Sequence, residues 1–282
     1  GTLTPVADLE PVPLGGVTIR RATLHNFEEI KRLGVREGDT VLVERGGDVI
    51  PKIVSVDLAR RPKNARPYHP PDRCPFCDVP LEREEGEVAL RCPNPQDPEV
   101  IKRQIEHFAS RGALDIAGLG SETVELLVKE GLVEDAGDLF FLTQDQLKKL
   151  ERFAEKSAGN LVAGLDSAKQ QPLDRLIFAL GIRFVGEGTA RHLAVRFRSL
   201  DVLSKAMVEE LSKVPDVGER VARAIVDYFG SPHARRLMTK LRKAGFSFEA
   251  GEEMAQGDAL AGKTIVLTGS LETMTRDDAE RA

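Results

Sequence analysis

The sequence predicts a multidomain α+β protein in which a small β-barrel, a cysteine-containing segment and an all-α domain follow one another. Three observations support this prediction. Runs of β-branched residues separated by glycine turns fill residues 1 to about 65. Three cysteines cluster within residues 74–92, and apolar residues recur at helical spacing from about residue 100 to 245. A length of 282 residues suits two or three domains.

The predicted barrel consists of short strands around one helix. Its β-rich runs are 17–19, 41–43 and 49–56, and a short helical patch lies at 27–33. Several short strands with one small helix are typical of a small barrel. The proline- and arginine-rich residues 60–73 predict a linker after the barrel.

Composition restricts the possible functions. The net charge of -5 argues mildly against nucleic acid as a ligand, since phosphate binding favours a basic surface. A binder that uses backbone N–H groups needs fewer cationic side chains, so the objection is weak. Tryptophan is absent and aromatic residues make up 5%, which argues against base stacking as the main binding mode. With no apolar run of membrane length and no signal peptide, we expect a cytoplasmic protein that does not enter membranes.

The helical part repeats one unit four times. The units are anchored at Gly120, Ala154, Gly186 and Gly218, which are 34, 32 and 32 residues apart. Each anchor follows an apolar residue and precedes three mostly polar residues and a small apolar residue. This is the helix-hairpin-helix pattern, and the units differ in that the second carries alanine at the anchor.

Such a hairpin can bind a phosphate through its backbone. Glycine permits a positive φ and close approach, and the N-terminus of the following helix favours an anion. This contact fixes position without reading sequence. The residues predicted to contact DNA in the helical part are Gly118, Gly120, Gly186 and Gly218, assisted by Arg183 and Arg220. The alternative is a stack of helix pairs that only pack, and the second hairpin, with Ala154, is the best candidate for a structural role.

The cysteines predict a structural metal site. The spacing Cys74-x2-Cys77-x14-Cys92 supplies three of the four ligands that structural zinc requires. Asp97 is the candidate fourth ligand, ahead of His69 or His107. The alternative is a degenerate site that binds no metal and is held by packing.

Taken together, the barrel, the cysteine cluster and the four hairpins resemble the C-terminal part of the bacterial NAD-dependent DNA ligases. The stretches that carry the resemblance are 1–7, 22–26, 38–41, 47–53, 107–120 and 179–187. The resemblance covers essentially the whole chain. It implies an OB-fold at 1–65, a linker and zinc finger at 66–99, a helix-hairpin-helix domain at 100–250, and a linker with a truncated BRCT start at 251–282.

The resemblance also implies an activity, which is the sealing of 5′-phosphate/3′-hydroxyl nicks in duplex DNA during replication and repair. The full-length enzymes use NAD and Mg²⁺. The barrel residues that the resemblance suggests for DNA contact are Thr23, His25, Asn26, Arg45 and Lys52. The family's fourth zinc cysteine falls at Asp97, which puts zinc binding in question.

The family's N-terminal adenylation domain, with its Lys-x-Asp-Gly nucleophile, does not occur in these residues. We therefore expect a monomeric fragment, without catalytic residues, that binds nicked DNA but does not react with NAD. Two other functions fit the pattern less well. A repair nuclease or resolvase module would need an acidic metal cluster, and a protein-interaction scaffold would fit the acidic composition.

Overall fold

The computed structural model describes residues 1–45, 50–84 and 86–251. The chain forms two compact units, Gly1–Arg103 and Gln104–Ala282. The predicted turn at 46–48 and the predicted BRCT start beyond residue 251 lie outside the described residues.

The first unit contains a curled sheet with a short helix against it. Its elements are β1 (Thr2–Leu3), β2 (Val6–Leu14), β3 (Val17–Thr23), α1 (Phe27–Leu33), β4 (Val41–Arg45), β5 (Pro51–Val56), a 3-10 turn (Leu58–Arg60) and β6 (Leu90–Arg91). The strand order is β2-β3-β5-β4, with β3 and β5 parallel and the other neighbours antiparallel. β1 pairs separately with β6. This half-barrel fits the predicted small barrel.

The helix α1 lies where the sequence predicts it. Asn26 caps its first turn by accepting a hydrogen bond from the Glu29 N–H at 2.9 Å, and Gly34 ends it with a left-handed backbone. Phe27 and Ile30 on its inner face are buried in the core of the barrel. The N-cap, the glycine C-cap and the buried apolar face therefore all favour a helix with these same bounds.

The segment 60–73, predicted to be a linker, contains no strand or α-helix and is bound to the barrel through Arg61 and Tyr68. Arg61 donates two hydrogen bonds of 2.8 Å to the buried carboxylate of Asp39. The Tyr68 ring stacks on Phe27 with centroids 6.4 Å apart. Proline and arginine content indicated an extended chain, but not the partners that hold it.

Up to residue 251, the second unit is predominantly helical. Its helices, with α2 starting in the first unit, are α2 (Pro98–Ala109), α3 (Ser121–Lys129), α4 (Gln144–Leu147), α5 (Glu155–Ala168), α6 (Leu173–Ala179), α7 (Glu187–Phe197), α8 (Leu200–Leu203), α9 (Val208–Leu211), α10 (Glu219–Gly230) and α11 (Pro232–Ala244), with a 3-10 turn at Asp138–Phe141. None of the helices in the described ranges is long and apolar enough to cross a membrane.

The four repeats form the core of this unit. Two apolar residues of each repeat are almost completely buried. They lie four and seven positions after the anchor: Val124 and Leu127, Ala158 and Leu161, Ala190 and Leu193, Ala222 and Ile225. Burial of the same two positions in every repeat holds each hairpin loop at the surface, next to the start of its second helix.

Candidate nucleic-acid interface

The four hairpins share one backbone conformation. The residue two positions before each anchor has a positive φ: Gly118 at 83°, Arg152 at 71°, Phe184 at 65° and Asp216 at 63°. The anchors themselves are extended N-cap residues, with φ of -78° at Gly120, -88° at Gly186 and -78° at Gly218. The positive φ is thus made two residues before the anchor, by glycine in the first hairpin and by non-glycine residues in the other three.

The anchor glycines are also not required by packing. A Cβ placed on Gly120, Gly186 or Gly218 would meet no atom within 4 Å. By contrast, a Cβ on Gly164 would lie 2.7 Å from the Ala117 carbonyl oxygen, so that glycine is fixed by helix packing. At the three anchors, the missing side chain leaves open space in front of the backbone.

Each open anchor lies at the N-terminus of a helix of nine to twelve residues, α3, α7 or α10. The first N–H groups of a helix have no partners within it and carry the positive end of the helix dipole. An anion approaching a glycine there can reach these groups without steric hindrance. The arrangement therefore suits an oxyanion such as a phosphate.

Acidic side chains in the first turns would oppose such an anion, but cations hold two of them. Arg152 binds the Glu122 carboxylate at 2.6 Å, and Arg223 binds the Glu219 carboxylate at 2.5 Å. The Glu187 carboxylate lies beside Gly112, so close that a Cβ on that glycine would collide with it. The ion pairs of Glu122 and Glu219 are solvent-exposed, so the two arginines offset part of the negative charge beside these helix starts.

The second hairpin differs from the others. Its anchor, Ala154, has a side chain, and its N–H donates to Ser157 Oγ at 2.9 Å. The same hydroxyl donates to the Ala154 carbonyl oxygen at 3.0 Å. The backbone N–H of this anchor is thus hydrogen-bonded within its own hairpin, which favours a structural role for this hairpin.

The two predicted arginines meet at one aromatic ring. The guanidinium carbons of Arg183 and Arg220 lie 4.9 Å and 4.3 Å from the centroid of the Phe184 ring. Arg183 belongs to the third hairpin and Arg220 to the first turn of α10 in the fourth. Sequence reasoning did not single out Phe184, although an apolar residue between Arg183 and the Val185-Gly186 pair is visible in the sequence.

The predicted DNA-contact residues of the barrel lie on the sheet and at the start of α1. Thr23 and Lys52 are paired across β3 and β5, and Lys52 also contacts Glu44 at 3.4 Å. Asn26 is used as the cap of α1, and His25 is exposed with a left-handed φ of 58°. Arg45 ends β4, and its side chain lies outside the described part of the chain. Whether any of these residues contacts DNA stays a prediction.

The cysteines and Asp97 form a compact cluster in the first unit. One ligand atom from each of Cys74, Cys77, Cys92 and Asp97 lies within 4.8 Å of the others. Asp97 Oδ2 is 3.0 Å from Cys74 Sγ and 3.5 Å from Cys92 Sγ, and the sulfurs of Cys77 and Cys92 are 3.5 Å apart. Tetrahedral zinc with these ligands would place neighbouring ligand atoms about 3.5–3.8 Å apart. The four groups therefore fit a structural zinc ion.

Protonation in this cluster follows from burial and hydrogen bonding. Burial raises the pKa of the Cys92 thiol to about 12. Burial opposes ionisation of Asp97 as well, but hydrogen bonds from the Cys77 and Cys74 thiols lower the pKa of Asp97 to about 2. Metal binding would replace the thiol protons, because thiolate is the form that binds zinc.

Comparisons with known proteins match three parts of the chain. A model of the NAD-dependent DNA ligase OB-fold domain matches residues 1–65, and a model of the NAD-dependent DNA ligase C4 zinc finger domain matches residues 73–96. A helix-hairpin-helix motif model matches residues 175–238. The C4 description implies four cysteines, whereas this chain has three and Asp97.

Similar proteins align with nearly the whole chain. The DNA ligase of Pelodictyon phaeoclathratiforme is 48% identical over 281 residues, which are 99% of this chain and 42% of that ligase. The DNA ligase of Chloroflexus aurantiacus is 49% identical over 281 residues, or 99% of this chain and 40% of that ligase. The DNA ligase of Chlorobaculum tepidum is 49% identical, with coverage of 99% and 42%. The chain spans about two fifths of the length of these relatives.

Proposed function

Because the chain belongs to the NAD-dependent DNA ligase family, we propose that it is the part of such an enzyme that binds nicked duplex DNA. The reaction proposed for the whole ligase is the joining of a 5′-phosphate to a 3′-hydroxyl with NAD and Mg²⁺. These 282 residues contain no Lys-x-Asp-Gly nucleophile, so on their own they bind DNA without reacting with NAD.

The observation that carries the proposal is the set of three open glycine anchors. Gly120, Gly186 and Gly218 have ordinary backbone angles and no neighbour that a Cβ would displace. Glycine is an acceptable N-cap residue, but packing does not require it at any of the three helix starts, and in each the absent side chain leaves room for close approach of a DNA phosphate. Three such sites on one helical unit would bind duplex DNA independently of sequence.

The proposed roles of the domains follow the domain boundaries that the sequence predicts. Residues 1–65 form the OB-fold and contact DNA through Thr23, His25, Asn26, Arg45 and Lys52. Residues 66–99 form the zinc finger, and residues 100–250 form the helix-hairpin-helix domain. Zinc, held by the three cysteines and Asp97, has a structural role, because all four ligand groups come from the protein and leave no position for a substrate.

The proposal is tested by fluorescence anisotropy with a nicked duplex and its intact twin over a salt series. We expect micromolar or tighter binding at low salt, with log Kd rising steeply with log salt concentration as counterions are released from neutralised phosphates. Tighter binding to the nick would indicate that the barrel contributes. Absence of binding at low salt would overturn the proposed function.

The two rival functions give different results in the same experiment. A nuclease or resolvase module would shorten the labelled duplex when Mg²⁺ is added. A protein-interaction scaffold would bind DNA weakly or with no salt dependence. At the hairpins, Glu122 and Glu219 are paired with arginines and Glu187 lies beside Gly112, so these carboxylates do not form the acidic metal cluster that a nuclease requires.

A further inference from the structure

The position of Phe184 is not explained by folding. Its backbone has a φ of 65°, a conformation that is unfavourable for a bulky residue, and its side chain is 43% exposed. The equivalent positions in the other hairpins are Gly118, Arg152 and Asp216, so the turn requires a positive φ but no particular side chain. The turn itself therefore does not call for an aromatic ring, and more than two fifths of Phe184 remains exposed to solvent.

The surroundings of Phe184 indicate what the ring does. Two guanidinium groups lie within 5 Å of its centroid, from Arg183 in the same loop and from Arg220 in the next hairpin. A cation over an aromatic ring is attracted to it, and a guanidinium can lie flat on the ring while its N–H groups still point outward. The ring therefore restricts the positions of two cations from two different hairpins.

These cations lie next to the open glycines. Arg183 is three residues before Gly186, and Arg220 is two residues after Gly218. Resting on the proposed function, we propose that Phe184 is a positioning residue that fixes Arg183 and Arg220 as a pair for two DNA phosphates, one at each of these hairpins. The ring touches neither the reacting atoms nor the bases in this role. It lowers the conformational entropy that the two long side chains lose on binding.

Three substitutions separate this role from a structural one. Phe184→Gly removes both the ring and the backbone strain, Phe184→Leu removes only the ring face, and Phe184→Trp supplies a stronger cation–π partner. We expect Phe184→Gly to weaken nicked-duplex binding roughly five- to tenfold, while relief of the positive φ offsets part of the stability lost with the half-buried ring. Phe184→Leu should weaken binding similarly, and Phe184→Trp should retain the wild-type Kd. Phe141→Leu, at another phenylalanine that is 49% exposed, is the matched control and should change nothing.

A double-mutant cycle tests the coupling directly. Arg220→Gln should weaken binding and reduce the salt slope by about one in the wild-type background. In the Phe184→Leu background the same change should have a clearly smaller effect, since the ring no longer positions the arginine. Equal effects in both backgrounds, or wild-type binding by Phe184→Gly, would overturn the proposal.

Failure of this proposal is distinguishable from failure of the proposed function. If the wild-type chain binds duplex DNA with a steep salt slope and the Phe184 variants bind equally well, only the positioning role is wrong. If the wild-type chain does not bind DNA, the proposed function is wrong, and the positioning role is wrong with it.

Discussion

Asp97 Oδ2 lies 3.0 Å from Cys74 Sγ, while Oδ1 of the same carboxylate accepts the Glu99 N–H at 2.8 Å. One buried side chain, 1% exposed, thus closes the cysteine cluster and caps the first turn of α2. A cysteine at this position could serve as a metal ligand but would be a poor cap. The aspartate therefore combines two roles that can be separated by substitution.

Substitutions at Asp97 should separate these two roles. Asp97→Asn keeps an oxygen that can cap α2 but removes the anionic ligand, and we expect zinc affinity to fall by more than about 100-fold, beyond the loss typical of an outer-shell partner. Asp97→Cys should hold zinc at least as tightly as the wild type and lose about 1 kcal/mol of stability with the cap. Competition with a chromophoric chelator and chemical unfolding measure the two quantities. Wild-type zinc affinity in Asp97→Asn would show that the carboxylate is not a ligand.

Removal of the metal should destabilise the first unit. Cys92 N–H donates to the Gly1 carbonyl oxygen at 2.8 Å, and β1 pairs with β6 directly before Cys92, so the cluster is continuous with this small sheet. We expect a strong zinc chelator to lower the melting temperature of this unit by at least about 5 °C. Cys77→Ala is the control, because its melting temperature should no longer respond to chelator. An unchanged wild-type melting temperature would favour a cluster held by packing without metal.

The ion pair between Asp39 and Arg61 should make barrel stability depend on pH. Hydrogen bonds from the Arg61 guanidinium hold the pKa of the buried Asp39 carboxyl below its ordinary value. A lowered folded-state pKa adds stability above the unfolded-state value of about 3.9, and this stability is lost as the pH falls through the folded-state pKa. We expect Asp39→Asn to cost about 3 kcal/mol at neutral pH and much less under strongly acidic conditions. Urea unfolding at both pH values tests this, and a penalty that does not depend on pH would contradict it.

The second hairpin should affect stability without affecting DNA binding. Ser157→Ala leaves the Ala154 N–H without its partner and should cost about 1 kcal/mol of stability. Because Ala154 blocks the approach that glycine permits, we expect the Kd for nicked duplex to stay within about twofold of wild type. Anisotropy and thermal unfolding on the same preparation measure both effects. A large loss of affinity would place the second hairpin at the DNA.

Local sequence signals predicted the features that depend on neighbouring residues. The helix α1 was predicted as a short helical patch at 27–33, and the four helix starts were marked by the repeat. The grouping of Asp97 with the cysteines followed from ligand chemistry and short spacing. For the helix starts the deciding interactions lie within a few residues along the chain, whereas the metal cluster joins residues up to 23 positions apart and is predictable from ligand chemistry.

Long-range features could not be predicted in the same way. β2 contains Pro11 and Pro13, which conceal a strand, and the structure pairs β2 with β3 alone at the edge of the described sheet. β1 pairs with β6 almost ninety residues later, and no local pattern identifies that partner. Phe184 was not predicted as a functional residue, because its proposed role depends on a contact with Arg220 in another hairpin.

The central claim is that the glycine anchors at the helix starts bind DNA phosphates through the backbone. It is tested most directly by comparing Gly186→Ala/Gly218→Ala with Gly230→Ala at the far end of α10. None of these glycines has a positive φ or an atom within 4 Å of a Cβ, so all variants should fold, although the double variant should lose about 0.5–1 kcal/mol per site because alanine is a poorer N-cap than glycine. We predict that the double variant binds nicked duplex more weakly by on the order of tenfold per hairpin, while Gly230→Ala binds like the wild type. Equal affinity of all three proteins would contradict the claim.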